Sequence, residues 1–372
     1  MKKMERIAVD LFSGAGGVSC GLEKAGIQVS VAVELWGVAA NTYERNFGEN
    51  KVIRKDIRNV KGKEILKKIG VRKNRLFLLA GCPPCQGFSS QQKNKKGEDD
   101  ERNLLVFEYF RIIDEIRPVF ILMENVPGLK NEKKIFDKLL AMFDEIGYEI
   151  RFDVLNAVNY GVPQTRKRLV LHGVRRDVYK KMIAKNIDVE FPKETHCKLG
   201  RLNGENLKKW KTVRDTISHY PKIKCGESHE IIPNHTSANL KEINLERIRM
   251  IRKYGGSRNS LPQKLQLDCH NNKDGEKKVG YGDVYGIMDW DKPAPTLTGG
   301  CLSYSKGRFG HPEQDRAISA REAAALQTFD DNFIFEGNLQ DIAQQIGNAV
   351  PVDMAAASGN YFIELAKRLH VI

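Results

Sequence analysis

A chain of 372 residues with 41% hydrophobic composition is long enough to bury one large core and a smaller one, which excludes a disordered or fibrous polymer. No apolar run approaches the roughly 20 residues that cross a bilayer, and the start, MKKMERIAVDLFSG, enters a strand-like run without a signal-peptide core, so a cytoplasmic protein is expected. The 61 Lys and Arg exceed the 47 Asp and Glu by 14, a balance that fits either a solvated basic surface or a polyanionic partner.

From the N-terminus, apolar runs at 7–12 (IAVDLF), 29–34 (VSVAVE), 75–80 (RLFLLA), 119–125 (VFILMEN) and 168–174 (RLVLHGV) predict strands. Between them GVSCGLEKAG, WGVAANTYERNF, NLLVFEYFRIIDEI and KIFDKLLAMFDEIG carry apolar residues near helical spacing. The alternation predicts a doubly wound, Rossmann-like α/β domain over 1–188. From about 190 the chain becomes polar, with Gly and Pro clusters such as YGGSRNSLP and WDKPAPTLTGG, and a smaller, irregular second domain is expected over 189–312. Residues 193–264 hold 16 Lys and Arg against 7 Asp and Glu, so the basic surplus concentrates there. SAREAAALQTF and DIAQQIGNAVPVDMAAASGNYFIELAKRL return to helical spacing, and 313–372 are expected to fold back onto the first domain.

The first strand runs into a Gly-rich turn (Gly14, Gly16, Gly17) and then a helix, a geometry that brings backbone close to a ligand. The third glycine of a dinucleotide fingerprint falls at Ser19 and no P-loop Lys follows, so a pyrophosphate is not indicated. Glu34 closes the next strand about 20 residues on, where a carboxylate takes ribose hydroxyls, and Asp56 follows the next connection. Glycine turn and strand-end acids suit a phosphate-free nucleoside such as S-adenosyl-L-methionine; ordinary turn glycines and strand-end acids are the alternative.

GCPPCQG, residues 81–87, sets Cys82 and Cys85 at a spacing that invites a redox or zinc reading. Pro83 and Pro84 hold the chain extended where a redox dithiol wants a helix start, and no second Cys-x-x-Cys completes the four ligands of structural zinc. All seven cysteines (with Cys20, Cys197, Cys225, Cys269 and Cys301) are scattered, which suits free thiols. Glu124 and Asn125 end the next strand, and Gln164, Arg166 and Arg168 follow in YGVPQTRKRLVL, the arginines two apart and on one face of an extended strand. A helix cap at Glu124 and a solvated strand face at the arginines are the bland readings.

Taken in order, DLFSGAGG, VAVE, KDI, GCPPCQGFS, MENVPGL, QTRKRL, REAAALQTF and QQIGNAVP resemble the motif series of the DNA (cytosine-5) methyltransferases, over 6–175 and 285–360. The resemblance implies an S-adenosylmethionine-dependent methyltransferase domain, with 189–312 as target-recognition domain. It implies Cys85 as nucleophile, Glu124 as the acid at cytosine N3, Arg166 at the cytosine carbonyl and Arg168 supporting the site. It puts Phe12, Gly14, Gly16, Gly17, Glu34, Leu35, Asp56, Ile57, Pro84, Leu105 and Asn348 at the cofactor, with Leu35 where many members carry an aromatic residue. Gln86, Ser89, Arg102 and Thr296 are implied at the DNA, and Arg249, Arg252, Lys253 and Arg258 fit phosphate contacts. No metal is implied. Double-stranded DNA is the implied partner of a monomer, and a cognate restriction endonuclease shares its site without a stable complex. Three rivals stay open: a tRNA cytosine-5 methyltransferase, a catalytically silent DNA-binding regulator and a thiol oxidoreductase.

Overall fold

Residues 4–84, 104–267 and 282–371 are described by the structure, a computed structural model. The apolar runs of the first half pair into one seven-stranded sheet: β1 (Ile7–Leu11), β2 (Gln28–Val33), β3 (Val52–Ile53), β4 (Leu78–Gly81), β5 (Phe120–Asn125), β6 (Tyr148–Asn156) and β7 (Lys167–Arg175), in the order β3-β2-β1-β4-β5-β7-β6. β1 to β5 pair in parallel, and β7 runs antiparallel to both β5 and β6. β4 and β5 are buried along their whole length, as near-continuous apolar strands of a sheet covered on both faces must be. After β1 the chain winds outward through β2 and β3 and returns to β4, so the strand order switches between β1 and β4, where open α/β sheets hold ligands.

Helices α1 (Gly17–Lys24), α2 (Gly37–Phe47), α3 (Gly62–Ile69), α4 (Leu105–Ile116) and α5 (Lys133–Glu145) lie between successive strands, and α6 (Arg176–Ile183) follows β7. Leu79, Ile112, Ile121, Phe143 and Leu171 lie in the core between sheet and helices. α1 is fixed from behind by the C-terminal helix Val352–Arg368: a Cβ on Gly21 would come 2.5 Å from Ala355 Cβ, so only glycine permits this approach.

The chain divides into two compact units, Met1–Tyr160 with Lys167–Thr195 and Val350–Ile372, and Gly161–Arg166 with His196–Ala349. The second contains small strands β8 (His196–Cys197), β9 (Arg201–Leu202), β10 (Glu205–Asn206) and β11 (Lys208–Lys209), then α7 (Val213–Ile217), α8 (Glu242–Tyr254), α9 (Ala320–Leu326) and α10 (Leu339–Asn348). Its core gathers Ile248, Ile251, Leu261, Leu265, Tyr285 and Tyr304. The C-terminal motifs are therefore split, with α9 and α10 in the second unit and Val350 onward in the first. The helical pattern breaks at Pro351, which follows α10 and precedes the last helix.

Candidate active site

Where β1 ends, the backbone turns through conformations that most residues avoid: Phe12 has φ 57°, Gly14 54° and Gly16 101°. Ser13 N donates to Val33 O at 3.2 Å, which draws the turn to the end of β2. There the Glu34 carboxylate accepts Gly14 N at 2.8 Å and Trp36 N at 2.7 Å, one oxygen each. Burial raises its pKa while these main-chain donors pull it down. A carboxylate holding one donor per oxygen keeps lone pairs for a diol. A Cβ on Gly14 would meet nothing within 4 Å, whereas one on Gly16 would lie 2.5 Å from the Phe47 ring. The turn is thus open on one side and packed on the other, and with Glu34 it fits the nucleoside end of S-adenosylmethionine.

Asp56 caps the short helix Ile57–Asn59 by accepting Arg58 N at 2.9 Å and binds the Arg58 guanidinium through both oxygens, which lowers its pKa. Ile57 is buried beside it, while Leu35 is 64% exposed and presents an aliphatic face. Leu105 opens α4 and packs partly on the sheet core.

A buried group that sequence reasoning passed over lies beneath the turn. Asp10, wholly buried in β1, accepts Ser19 Oγ at 2.7 Å, and Tyr43 OH donates to the same Ser19 oxygen at 2.9 Å. The other Asp10 oxygen has no hydrogen-bond partner among the described residues, and burial pushes the acid up to about 7. The signal was an aspartate inside an otherwise apolar strand.

Past β4, Cys82 N donates to Leu11 O at 3.2 Å, and desolvation, with the charges of Glu124 and Asp10, pushes its thiol well up. Cys82 is therefore a protonated packing thiol and a poor nucleophile. β5 ends with Glu124 and Asn125, both buried, because its apolar run meets the sheet edge there. Asn125 Nδ2 donates to Pro83 O at 2.9 Å and so fixes the chain one residue before Pro84, while Glu124 Oε1 lies 2.8 Å from Arg168 Nε. Cys82, Leu122, Glu124, Val170, Met354 and Ser358 line a small pocket at this edge. Cys85, Gln86, Ser89 and Arg102 lie outside the described residues.

Arg166 takes another course. It precedes β7, belongs to the second unit and is 1% exposed. Its guanidinium donates to Leu297 O at 2.7 Å and to Gly347 O and Ala349 O at 3.0 Å each. Three of its hydrogen bonds thus go to main-chain oxygens of the second unit, whereas the arginine beside Glu124 is Arg168. Gln164 reinforces the clamp by accepting Leu297 N at 2.9 Å and donating to Gln327 Oε1 at 3.0 Å. Thr296 Oγ1 donates to Thr165 O at 2.7 Å, so the Thr-Leu pair holds this backbone. Asn348 ends α10 exposed, in the second unit, whereas the glycine turn belongs to the first.

Of the expected phosphate contacts, Arg249 binds Asp315 at 3.0 Å and Glu242 at 2.9 Å, and Arg252 binds Asp315 and Gln314 O. Lys253 lies over the Tyr254 ring. Among the described residues no group of three or more potential metal ligands gathers, and no helix is long and apolar enough to cross a membrane.

Residues 7–363 match the family model of the C-5 cytosine-specific DNA methylases. The Type II methylase M.HgiDII of Herpetosiphon aurantiacus is 37% identical over 97% of this chain and 96% of its own length. The Type II methyltransferase M.Eco47II of Escherichia coli is 32% identical over 97% of this chain and 80% of its own length. A candidate DNA modification methyltransferase encoded within an E. coli prophage superposes with a TM-score of 0.66 at 25% identity, covering 97% of this chain and 99% of its own.

Proposed function

The chain belongs to the C-5 cytosine-specific DNA methylase family and is a DNA cytosine-5 methyltransferase, and from that premise we propose that it methylates a flipped-out cytosine in a specific duplex sequence through the Cys85 thiolate. The observation that carries the reading is at the end of β5, where Glu124 faces Arg168 and the neighbouring Asn125 holds Pro83, two residues before Cys85.

C5 of cytosine is a weak nucleophile. The Cys85 thiolate adds to C6, forming an S–C bond and shifting electron density to C5. Glu124 donates a hydrogen bond or proton to N3, which makes the addition easier. Arg168, held beside Glu124, faces the charge that grows on O2. S-adenosylmethionine, bound at the glycine turn and Glu34, supplies an electrophilic methyl group on a sulfonium sulfur. The C5 proton then leaves to water and the C6–S bond breaks, which restores the aromatic ring and the thiolate. Extruding the base costs a few kcal/mol, and Gln86, Ser89 and Arg102 are assigned to the DNA contacts that offset it.

We assign target recognition to the second compact unit, with Arg166, Gln164 and Thr296 shaping its backbone. Kinship with Type II methylases supports a cytoplasmic bacterial or archaeal monomer that shields a site from a cognate endonuclease without a stable complex.

The test is bisulfite sequencing of plasmid from a methylation-free host expressing the protein, alongside methyl incorporation into total tRNA. Protected cytosines at one sequence context are expected, lost in Cys85→Ala and retained in Cys82→Ala. Labelling of tRNA alone, or activity surviving Cys85→Ala, rejects the reading.

A further inference from the structure

We propose that the exposed β-finger of residues 198–211 is a clamp on duplex DNA, gripping backbone phosphates beside the target; this rests on duplex DNA being the substrate. The finger is built to stand out. Its base is fixed by buried His196 and Cys197, with Trp210 N donating to Cys197 O at 3.1 Å and Leu207 N to Gly200 O at 3.0 Å. Gly161 lies against the His196 ring, where a Cβ would come 2.8 Å from Cε1. Beyond the base, β9 and β10 pair antiparallel around Asn203 (φ 49°) and Gly204 (φ 86°), the left-handed pair that a tight hairpin turn requires.

Residues 198–206 are exposed apart from partly covered Gly200, and a hairpin of two-residue strands gains little by itself. Its order is therefore directed at something outside it. The segment holds Lys198, Arg201, Lys208, Lys209 and Lys211 against one acid, Glu205. Lys198, Arg201, Lys208 and Lys209 have no side-chain ion pair or hydrogen bond among the described residues, and Glu205 has none either. Elsewhere in this unit Arg214, Arg249, Arg252 and Arg308 are each neutralised by an aspartate. Four cations without an ion pair among the described residues thus fall within one short, exposed segment.

The register sorts its side chains. Arg201 faces Asn206 across the hairpin, and Leu202 faces Glu205 on the other side. One face therefore offers a guanidinium and an amide, the other an aliphatic group and an acid. A two-stranded ribbon of this width fits a DNA groove, and four cations grip a polyanion through ion release. An anionic membrane would prefer the apolar residues and the cations on one face, whereas Leu202 points away from Arg201.

The experiment uses the full chain and a fourfold variant, Lys198→Ala with Arg201→Ala, Lys208→Ala and Lys209→Ala, binding a duplex that carries its target site. Affinity is measured between about 50 and about 200 mM salt. Each phosphate contact contributes roughly 0.9 to the slope of log affinity against log salt, so the fourfold variant should lose about 3 to 4 in slope. Its KM for DNA should rise at least about tenfold with kcat preserved at saturating DNA. If the fourfold variant fails to fold, Lys208→Ala and Lys209→Ala separately should each remove about 1 from the slope. An unchanged slope in variants that still methylate DNA overturns the finger alone. Wild-type protein that methylates only tRNA overturns the parent reading and the finger together, whereas a variant whose only defect is in binding anionic vesicles overturns the finger alone.

Discussion

Arg166 and Arg168 share a residue type and lie two positions apart, yet their surroundings give them opposite work. Arg168 stands 2.8 Å from Glu124 at the sheet edge, while Arg166 spends its donors on three carbonyls from residues 131 to 183 positions away. Arg168→Ala should lower kcat by about 100-fold or more with the unfolding midpoint nearly kept, because it removes charge stabilisation at the reacting base. Arg166→Ala should instead orphan buried carbonyl oxygens and cost on the order of 3 kcal/mol, read by denaturant unfolding. Equal losses of activity at equal stability would mean that both touch the cytosine. The sequence shows why the distinction was hidden. Period-two alternation puts both arginines on one strand face, but β7 begins only at Lys167, so Arg166 lies outside the element to which the rule applies.

Among elements, the buried parallel strands were legible because strands covered on both faces read as continuous apolar runs. β6, YEIRFDVLN, was not, since it lies at the sheet edge and mixes polar with apolar residues on a partly exposed surface. β3 is only two residues long and carries no periodicity at all. The motifs QTR, TL, LQ and GN were legible as a series, but their joint packing was not, because it depends on contacts across more than a hundred residues. Gly347 is the tightest point of that packing: a Cβ there would overlap the Thr298 carbonyl group and crowd Gly299 N. Gly299 itself leaves ordinary contact distance, with Gln344 Cα 3.7 Å from a built Cβ. Gly347→Ala should therefore destabilise by about 1–3 kcal/mol or prevent folding, and Gly299→Ala should fall within about 0.5 kcal/mol of wild type. Thermal unfolding of the pair decides it, and equal tolerance would show that α10 shifts freely.

Across the molecule, buried titratable groups make stability depend on pH in opposing senses. His172, whose Nδ1 lies 3.0 Å from Glu190 O, and His311, whose Nδ1 accepts Glu313 N and Gln314 N, are each lowered by burial to about 4. Their folded pKa lies below the ordinary 6.5, so the stability they contribute is present above 6.5 and is lost as pH falls through about 4. Asp10 acts the other way. Its folded pKa of about 7 lies above the ordinary 3.8, so its contribution is complete below 3.8 and disappears as pH rises through about 7. The groups around it reinforce that sense. Glu34 repels its charge, and the Tyr43, Cys82 and Tyr109 side chains are themselves pushed toward their protonated forms by burial and by Asp10, while among the described residues only Ser19 donates to it. Asp10→Asn keeps the shape and an acceptor for Ser19 but cannot ionise. The difference in unfolding free energy between variant and wild type should shift in the variant's favour from pH 5 to pH 8, by an amount on the order of a few kcal/mol. A difference that stays constant over that range would show that Asp10 is ionised throughout, with a partner for its second oxygen. Because Ser19 lies on α1 just after the glycine turn and Tyr43 on α2 stacks on Phe47, which lies against Gly16, the same ionisation should loosen the turn. Affinity for S-adenosylmethionine should accordingly fall above pH 7 in the wild type and remain flat in Asp10→Asn.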